Sequence, residues 1–340
     1  MLFAFVASTV LVISPPINPI GHASQQQYVF AQENTPTTSV SPYDKTSTNT
    51  TFFPQIHNYT SSGLAPVNSW IIETKDGVVI IDAQRQLSEG KKVLNEVQKI
   101  NKPILGIIIT HPHPDHINGV EALLNGTANV PIYSTQSTFQ IMKNDTGGYI
   151  ALSKQLLPRS EYSDQVVLPN KIVKSGENIT IDGITYHFED LGLGEASDMT
   201  LIYLPLQKIM FTGDVVNNHM HPFFAGAVSP ESRSHISEWI KQIVYLRHNY
   251  SDAKILFPGH GQSGTARTLL DDQLNYLNTF RSLVEQQMQS AAAANITQEG
   301  KILIKSELQR LYPDYMPVAT LPNMLDYNID AVSKEITQEK

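Results

Sequence analysis

The 340-residue chain contains no cysteine. Disulfide staples, thiolate zinc sites, iron–sulfur clusters and thiol nucleophiles are therefore excluded. Charge is also scarce, at 16% of residues against about a quarter in typical globular proteins. What charge there is leans acidic, with 24 Lys and Arg against 32 Asp and Glu for a formal −8. That balance argues against a general binder of phosphate backbones and hence against nucleic acid as a partner. No G-x-S-x-G elbow offers a serine nucleophile. The apolar run over residues 1–14 stops at Pro15–Pro16, short of the roughly 20 residues that span a bilayer.

That short run reads instead as the core of a secretory leader or N-terminal anchor over residues 1–31, with small-residue cleavage points near Ala23 or Ala31. Glycosylation sequons fall at Asn49, Asn58, Asn125, Asn144, Asn178, Asn249 and Asn295. Leader and sequons together predict an exported, secreted or cell-surface glycoprotein with no other membrane association. Residues 32–51 are rich in Ser, Thr, Pro, Asn and Gln and poor in large apolar side chains, the composition of a flexible linker.

From Phe52 the texture changes. Short apolar runs at Ser69–Ile71, Val78–Ile81, Ile104–Thr110 and Val130–Tyr133 alternate with a helical pattern over Leu87–Ile100, which predicts α/β architecture. A strand-rich stretch follows at Asn178–Ile181, Thr185–Glu189, Met199–Leu204 and Lys208–Phe211, with Asp182–Gly183 as a hairpin turn. Helices are expected over Glu231–Asn249 and Thr265–Ser290, flanking a strand at Lys254–Phe257. The residues divide into a main domain over 52–290 and an extension over 291–340, with a helix at Lys301–Tyr312 and Pro-punctuated segments after it.

The chemistry is concentrated in Thr110–His111–Pro112–His113–Pro114–Asp115–His116, at the C-terminal end of an apolar strand, where open α/β sheets place their ligand sites. Two imidazoles two residues apart can converge on one cation, while Asp115 and His116 face a second. The prolines stiffen the loop and reduce the entropy lost on fixing the ligands. A turn so dense in histidine has no packing role, so it reads as a metal site.

This H-x-H-x-D-H string resembles the signature of the metallo-β-lactamase superfamily, and the resemblance extends over about Phe52 to Ser290. The strand-ending Asp82 is similar to the family's first motif, Thr212–Gly213–Asp214 to its fourth and Gly259–His260–Gly261 to its fifth. The resemblance implies a four-layer αββα sandwich with metals at one edge. It implies His111, His113, Asp115, His116, Glu195, Asp214 and His260 as ligands, Asp214 bridging, and Asp115 and Asp214 as the catalytic carboxylates. Asp82 and Thr110 would brace the metal loop from behind.

The third motif departs from the family pattern, because Gly194–Glu195–Ala196–Ser197–Asp198 places Glu195 where a histidine is usual. Alkylsulfatase-like members look similar here, and the resulting His₂Glu set suits catalytic zinc; Asp198 is the alternative ligand. Two zinc ions per chain are expected, with iron or manganese as alternatives. Two cations lower the pKa of a shared water and supply a nucleophile. The expected activity is hydrolysis of a lactone, ester, lactam or sulfate ester in a small molecule. Two histidines and a carboxylate also form the facial triad of non-haem iron oxygenases, so an oxygenase on the same fold is one alternative and a non-catalytic metal-binding protein another. His219 and His221, which follow Asp214 closely, are the candidate substrate-binding residues, with Phe223 and Phe224 as an apolar wall. Oligomeric state has no signature in the sequence.

Overall fold

The computed structural model describes residues 27–28, 52–63, 65–127, 129–224, 235–291 and 296–339. Apart from Gln27–Tyr28, the expected leader and linker lie outside the described residues, as do the sequons at Asn49 and Asn295.

The first half of the fold is a seven-stranded sheet in sequential order. Its strands are β1 (Gln27–Tyr28), β2 (Gln55–Thr60), β3 (Asn68–Glu73), β4 (Val78–Ile81), β5 (Ile104–Ile108), β6 (Ile132–Thr135) and β7 (Lys171–Val173). Strands β1 to β4 pair antiparallel, whereas β4 to β7 run parallel. Parallel neighbours need crossovers. These are supplied by α1 (Leu87–Ile100), by α2 (Pro114–Ile117) with α3 (Val120–Leu124), and by α4 (Gln136–Asn144) with α5 (Tyr149–Leu156).

The second sheet has six strands: β8 (Asn178–Ile181), β9 (Ile184–Gly192), β10 (Met199–Leu204), β11 (Ile209–Asn217), β13 (Ile255–His260) and β14 (Gly264–Thr265). A short β12 (Met220–His221) lies outside it. The Asp182–Gly183 turn joins β8 to β9 with both residues at positive φ, +46° and +79°, the geometry a two-residue hairpin demands. Beyond β8 to β11, which form an antiparallel meander, β11 pairs parallel with β13 across α6 (Ile236–Asn249). The long α7 (Ala266–Ala291) follows, and then α8 (Gln298–Leu311), β15 (Met316–Pro317) and α9 (Met324–Gln338).

The unbroken apolar runs of the sequence are explained by burial on both faces. In β4, Val79 and Ile81 join the core between the sheets, while Val78 and Ile80 pack beneath the outer helices with Val93 and Val97 of α1. In β10, Ile202 and Leu204 face that same inter-sheet core, and Met199 and Leu201 meet Trp239, Ile243 and Phe280 of α6 and α7. Helix, sheet, sheet and helix thus stack in four layers, as the resemblance implies. No helix among the described residues is long and apolar enough to cross a membrane.

The extension past 291 holds more structure than its prolines suggest. Helix α9 occupies Met324–Gln338, and its Ile329, Val332 and Ile336 join the core beside α7. Strand β15 pairs parallel with β12, tying the C-terminal segment to the chain just after Asp214.

Candidate metal centre

The strand ends of both sheets meet at one edge of the sandwich. From the first sheet, β5 delivers His111, and the four-residue α2, begun by Pro114 at its first turn, presents Asp115 and His116. From the second sheet, Glu195 comes from the turn between β9 and β10, Asp214 from β11 and His260 from the last position of β13. The β11–β13 register slips between Gly213 and Asn217, and this irregularity re-aims Asp214 out of the ladder. Gly259 lies directly opposite: a Cβ there would stand 2.0 Å from Asp214 Oδ1. Only glycine leaves that carboxylate its place.

Two groups of potential ligands result. Atoms of His111, His113, Glu195 and Asp214 all lie within 4.8 Å of one another, and so do atoms of Asp115, His116 and His260. Asp214 stands between the groups. Its Oδ2 is 3.7 Å from His111 Nε2 and 3.3 Å from His260 Nε2, and its Oδ1 is 3.2 Å from His116 Nε2. Glu195 Oε2 lies 3.4 Å from His113 Nδ1. All seven sequence-predicted ligands are thus brought together. A third combination, Asp82 with His111 and His116, is accounted for by hydrogen bonding instead.

Asp82, at φ +61°, accepts the backbone N–H and the hydroxyl of Thr110 at 2.9 and 2.7 Å. It also accepts His116 Nδ1–H at 2.8 Å. His111 Nδ1 contacts Thr110 Oγ1 at 2.9 Å, and His260 Nδ1 donates to the carbonyl of Pro66 at 2.5 Å. With each Nδ1 so engaged, the neutral form of all three rings has Nε2 as its bare acceptor.

Those acceptors have no protein partner. Nε2 of His111, His116 and His260, together with Glu195 Oε2 and Asp214 Oδ1, are buried without a hydrogen bond among the described residues. Leaving one such group unsatisfied costs about 1–3 kcal/mol. Five converging on one small volume fit bound cations, which accept imidazole and carboxylate donors of this kind.

Electrostatics point the same way. Burial holds His113 down at about 4, and burial with the neighbouring His116 keeps His111 well below the usual imidazole value. Burial opposes charge on His116 and His260 as well, yet Asp214 and the other carboxylates prevail, raising His116 and carrying His260 to about 9. Burial, with Asp214 and Asp115 nearby, raises Glu195 well above the usual carboxylate range.

The structure also reveals supports that the sequence did not suggest. Arg85 Nη2 donates to Asp115 Oδ2 at 3.0 Å. Asn68 Nδ2 and Trp70 Nε1 of β3 both donate to the carbonyl of Pro258, holding the His260 loop against the first sheet. Asp198, the alternative third-motif ligand, accepts hydroxyls from Thr135 and Thr138 at 2.6 and 2.7 Å. Burial raises it to about 6. Gln242 of α6 donates to the carbonyls of Leu191, Gly192 and Leu193, anchoring the Glu195 turn from the other side.

His219 and His221 belong to neither ligand group. His221 is buried, with Nδ1 2.7 Å from the Tyr276 hydroxyl. His219 is exposed and packs against Tyr315 with ring centroids 5.4 Å apart. The expected Phe wall divides: Phe224 sits in the core against Trp239 and Phe280, and Phe223 packs in a small cluster with Met220, Val318 and Met324.

A family model described as "Metallo-beta-lactamase superfamily" matches residues 62–260. The chain is similar to a linear primary-alkylsulfatase of Pseudomonas sp. (strain ATCC 19151), at 26% identity over 231 residues. That match takes in 60% of this chain and only 43% of the alkylsulfatase. It is also similar to a metallo-beta-lactamase type 2 of Bacillus cereus, at 23% identity over 269 residues, 78% of this chain and 94% of that protein. Among solved structures, a metallo-beta-lactamase from Pontibacter korlensis superposes with TM-score 0.52 at 22% identity, over 68% of this chain and 97% of that one.

Proposed function

Because the chain belongs to the metallo-β-lactamase superfamily, we propose that it is an exported metal-dependent hydrolase that cleaves an ester, lactone, lactam or sulfate ester in a small molecule. The observation that carries this reading is the convergence of five partnerless buried ligand atoms from both sheets. His111, His113, Glu195 and Asp214 would hold one cation, and Asp115, His116 and His260 a second, with Asp214 shared. Zinc suits the imidazole and carboxylate donors. When bound, such a pair supplies an acidified water and a Lewis-acid contact for a developing anion.

The chain's own residues do the rest. Asp82, Thr110 and the Pro66 carbonyl fix the imidazole tautomers. Burial excludes bulk water from Asp214, which burial alone would raise but which His260, His116 and His111 hold well below the usual carboxylate range. It therefore stays an anion able to orient a reacting water. His219 stands exposed on the segment after Asp214, and we assign it a place at the substrate rim.

Resemblance to both an alkylsulfatase and a lactamase favours hydrolysis while leaving the bond open. The two imidazoles and one carboxylate of His111, His113 and Glu195 sustain the oxygenase as a second reading. Export is supported by the leader-like residues 1–14 and by the surface exposure of Asn125, Asn144, Asn178 and Asn249.

The test is elemental analysis of the purified full chain with a panel of chromogenic lactams, esters, lactones and sulfates. Two metals per chain and turnover abolished by chelator are expected. Metal bound without turnover, or dioxygen consumed, would overturn hydrolysis; purely cytosolic recovery would overturn export.

A further inference from the structure

Asp82 and Gln84 both take left-handed backbone at φ +61° and +81°, a conformation that non-glycine residues adopt at a cost of roughly 1–3 kcal/mol. The turn that carries them is held from all sides. Ala83 N–H donates to the His116 carbonyl at 2.8 Å, and Gly119 N–H to that of Gln84 at 3.0 Å. Asn118 Nδ2 donates to the carbonyl of Arg85 at 3.0 Å, and Gln84 Nε2 reaches the Ser69 hydroxyl at 3.0 Å. What this strained and rigid turn presents is the Arg85 side chain.

Its guanidinium is engaged through one nitrogen only among the described residues: Nη2 contacts Asp115 Oδ2 at 3.0 Å and the Val318 carbonyl at 3.4 Å. The donors on Nε and Nη1 remain, and the side chain is 24% exposed. Among the described residues, Arg85 is also the one lysine or arginine that pairs with a member of the metal cluster. The four carboxylates there, Asp82, Asp115, Glu195 and Asp214, carry a formal charge that two divalent cations would cancel. Before any hydroxide or other anion binds, Arg85 then leaves the mouth with one positive charge in excess. A planar guanidinium is also weakly hydrated and fitted to carboxylate and sulfate oxygens.

We propose that Arg85 is a specificity-determining residue that binds an anionic group of the substrate beside the metal pair, steadied by the C-terminal extension through the Val318 carbonyl. This rests on the hydrolase reading, deepening it to substrates that bear a carboxylate or sulfate.

The experiment compares the full-length wild type with Arg85→Gln and Arg85→Lys, all loaded with zinc. Two substrates are used, a neutral aryl ester and the same ester carrying a carboxylate, and each protein is titrated calorimetrically with inorganic sulfate. Arg85→Gln is expected to lower the preference for the anionic ester, as a ratio of kcat/KM values, by about tenfold or more. Sulfate affinity should fall by a similar factor, with Arg85→Lys in between. An unchanged ratio overturns the proposal, and so does a fall in bound zinc that accounts for the whole effect, since Arg85 would then only prop Asp115. If no protein turns over either ester or any member of the chromogenic lactam, lactone and sulfate panel, the hydrolase reading fails while the sulfate titration still decides the role of Arg85.

Discussion

Asp82 accepts the Nδ1–H of His116 at 2.8 Å, joining the end of one strand to a ring 34 positions further along the chain. Because the same carboxylate also takes both donors of Thr110, it sets the orientation of the whole histidine-rich turn. Asp82→Ala should weaken metal binding by about 10–100-fold, the usual effect of losing a ligand's hydrogen-bonding support. Competition against a chromophoric chelator measures this. Unchanged affinity would show that the turn holds itself.

Replacing Glu195 by histidine tests the departure in the third motif. The variant keeps a ligand at that position but removes one negative charge, so the acidic limb of the pH–rate profile should move to lower pH than in the wild type. Glu195→Ala, by contrast, should lose metal. Superimposable profiles for wild type and Glu195→His would argue that Glu195 does not touch a cation.

Metal uptake should release protons. His260, carried to about 9 by Asp214 and Asp115 against the effect of burial, is protonated at pH 7 in the metal-free protein and must give up that proton to serve as a ligand. Apparent affinity should therefore rise with pH up to about 9. Calorimetric titrations in buffers of different ionisation enthalpy read the proton count directly, and a heat independent of buffer would refute the mechanism.

His221 makes a separate prediction about stability. Burial lowers its pKa to about 4, so below its ordinary value the unfolded chain binds the proton that the folded chain refuses. Its contribution is complete above about 6.5 and is lost as pH falls towards about 4. His221→Gln should flatten this part of the stability–pH curve. Tyr276→Phe, which leaves the buried Nδ1 without its partner, should cost about 1–3 kcal/mol. Denaturant melts between pH 4 and 7 check both, and an unaltered slope would count against the assignment.

The four layers and the gathering of the seven candidate ligands were legible because local patterns encode them: unbroken apolar strands, histidines crowded into one turn, and acidic or imidazole residues at later strand ends. The supports were not legible, for a physical reason. The Pro66 carbonyl that orients His260 lies 194 positions away, and a backbone oxygen leaves no mark in a sequence. Arg85, Thr135 and Thr138 have their roles through contacts 30, 63 and 60 positions away, likewise beyond any local pattern. Helix α9 was hidden by its own polar residues. Asn328 faces inward to bond the Pro222 carbonyl and the Phe224 N–H, and Glu335 accepts from the backbone of Ile236 and Ser237, so the apolar stripe is interrupted. The segment carrying His221 read as pocket lining because it follows Asp214; the neighbouring Tyr276, on a distant helix, is what turns that ring inward.

The ligands are divided between the halves of the sandwich, with His111, His113, Asp115 and His116 on one and Glu195, Asp214 and His260 on the other. A cation held at that seam would work as a clasp. It has no binding site until both β-layers have docked, so it rewards only the finished molecule and adds stability that grows with the logarithm of free metal. Heat resistance should then track metal supply, and a chain that meets its ions only after crossing a membrane would travel in its least stable form and lock on arrival.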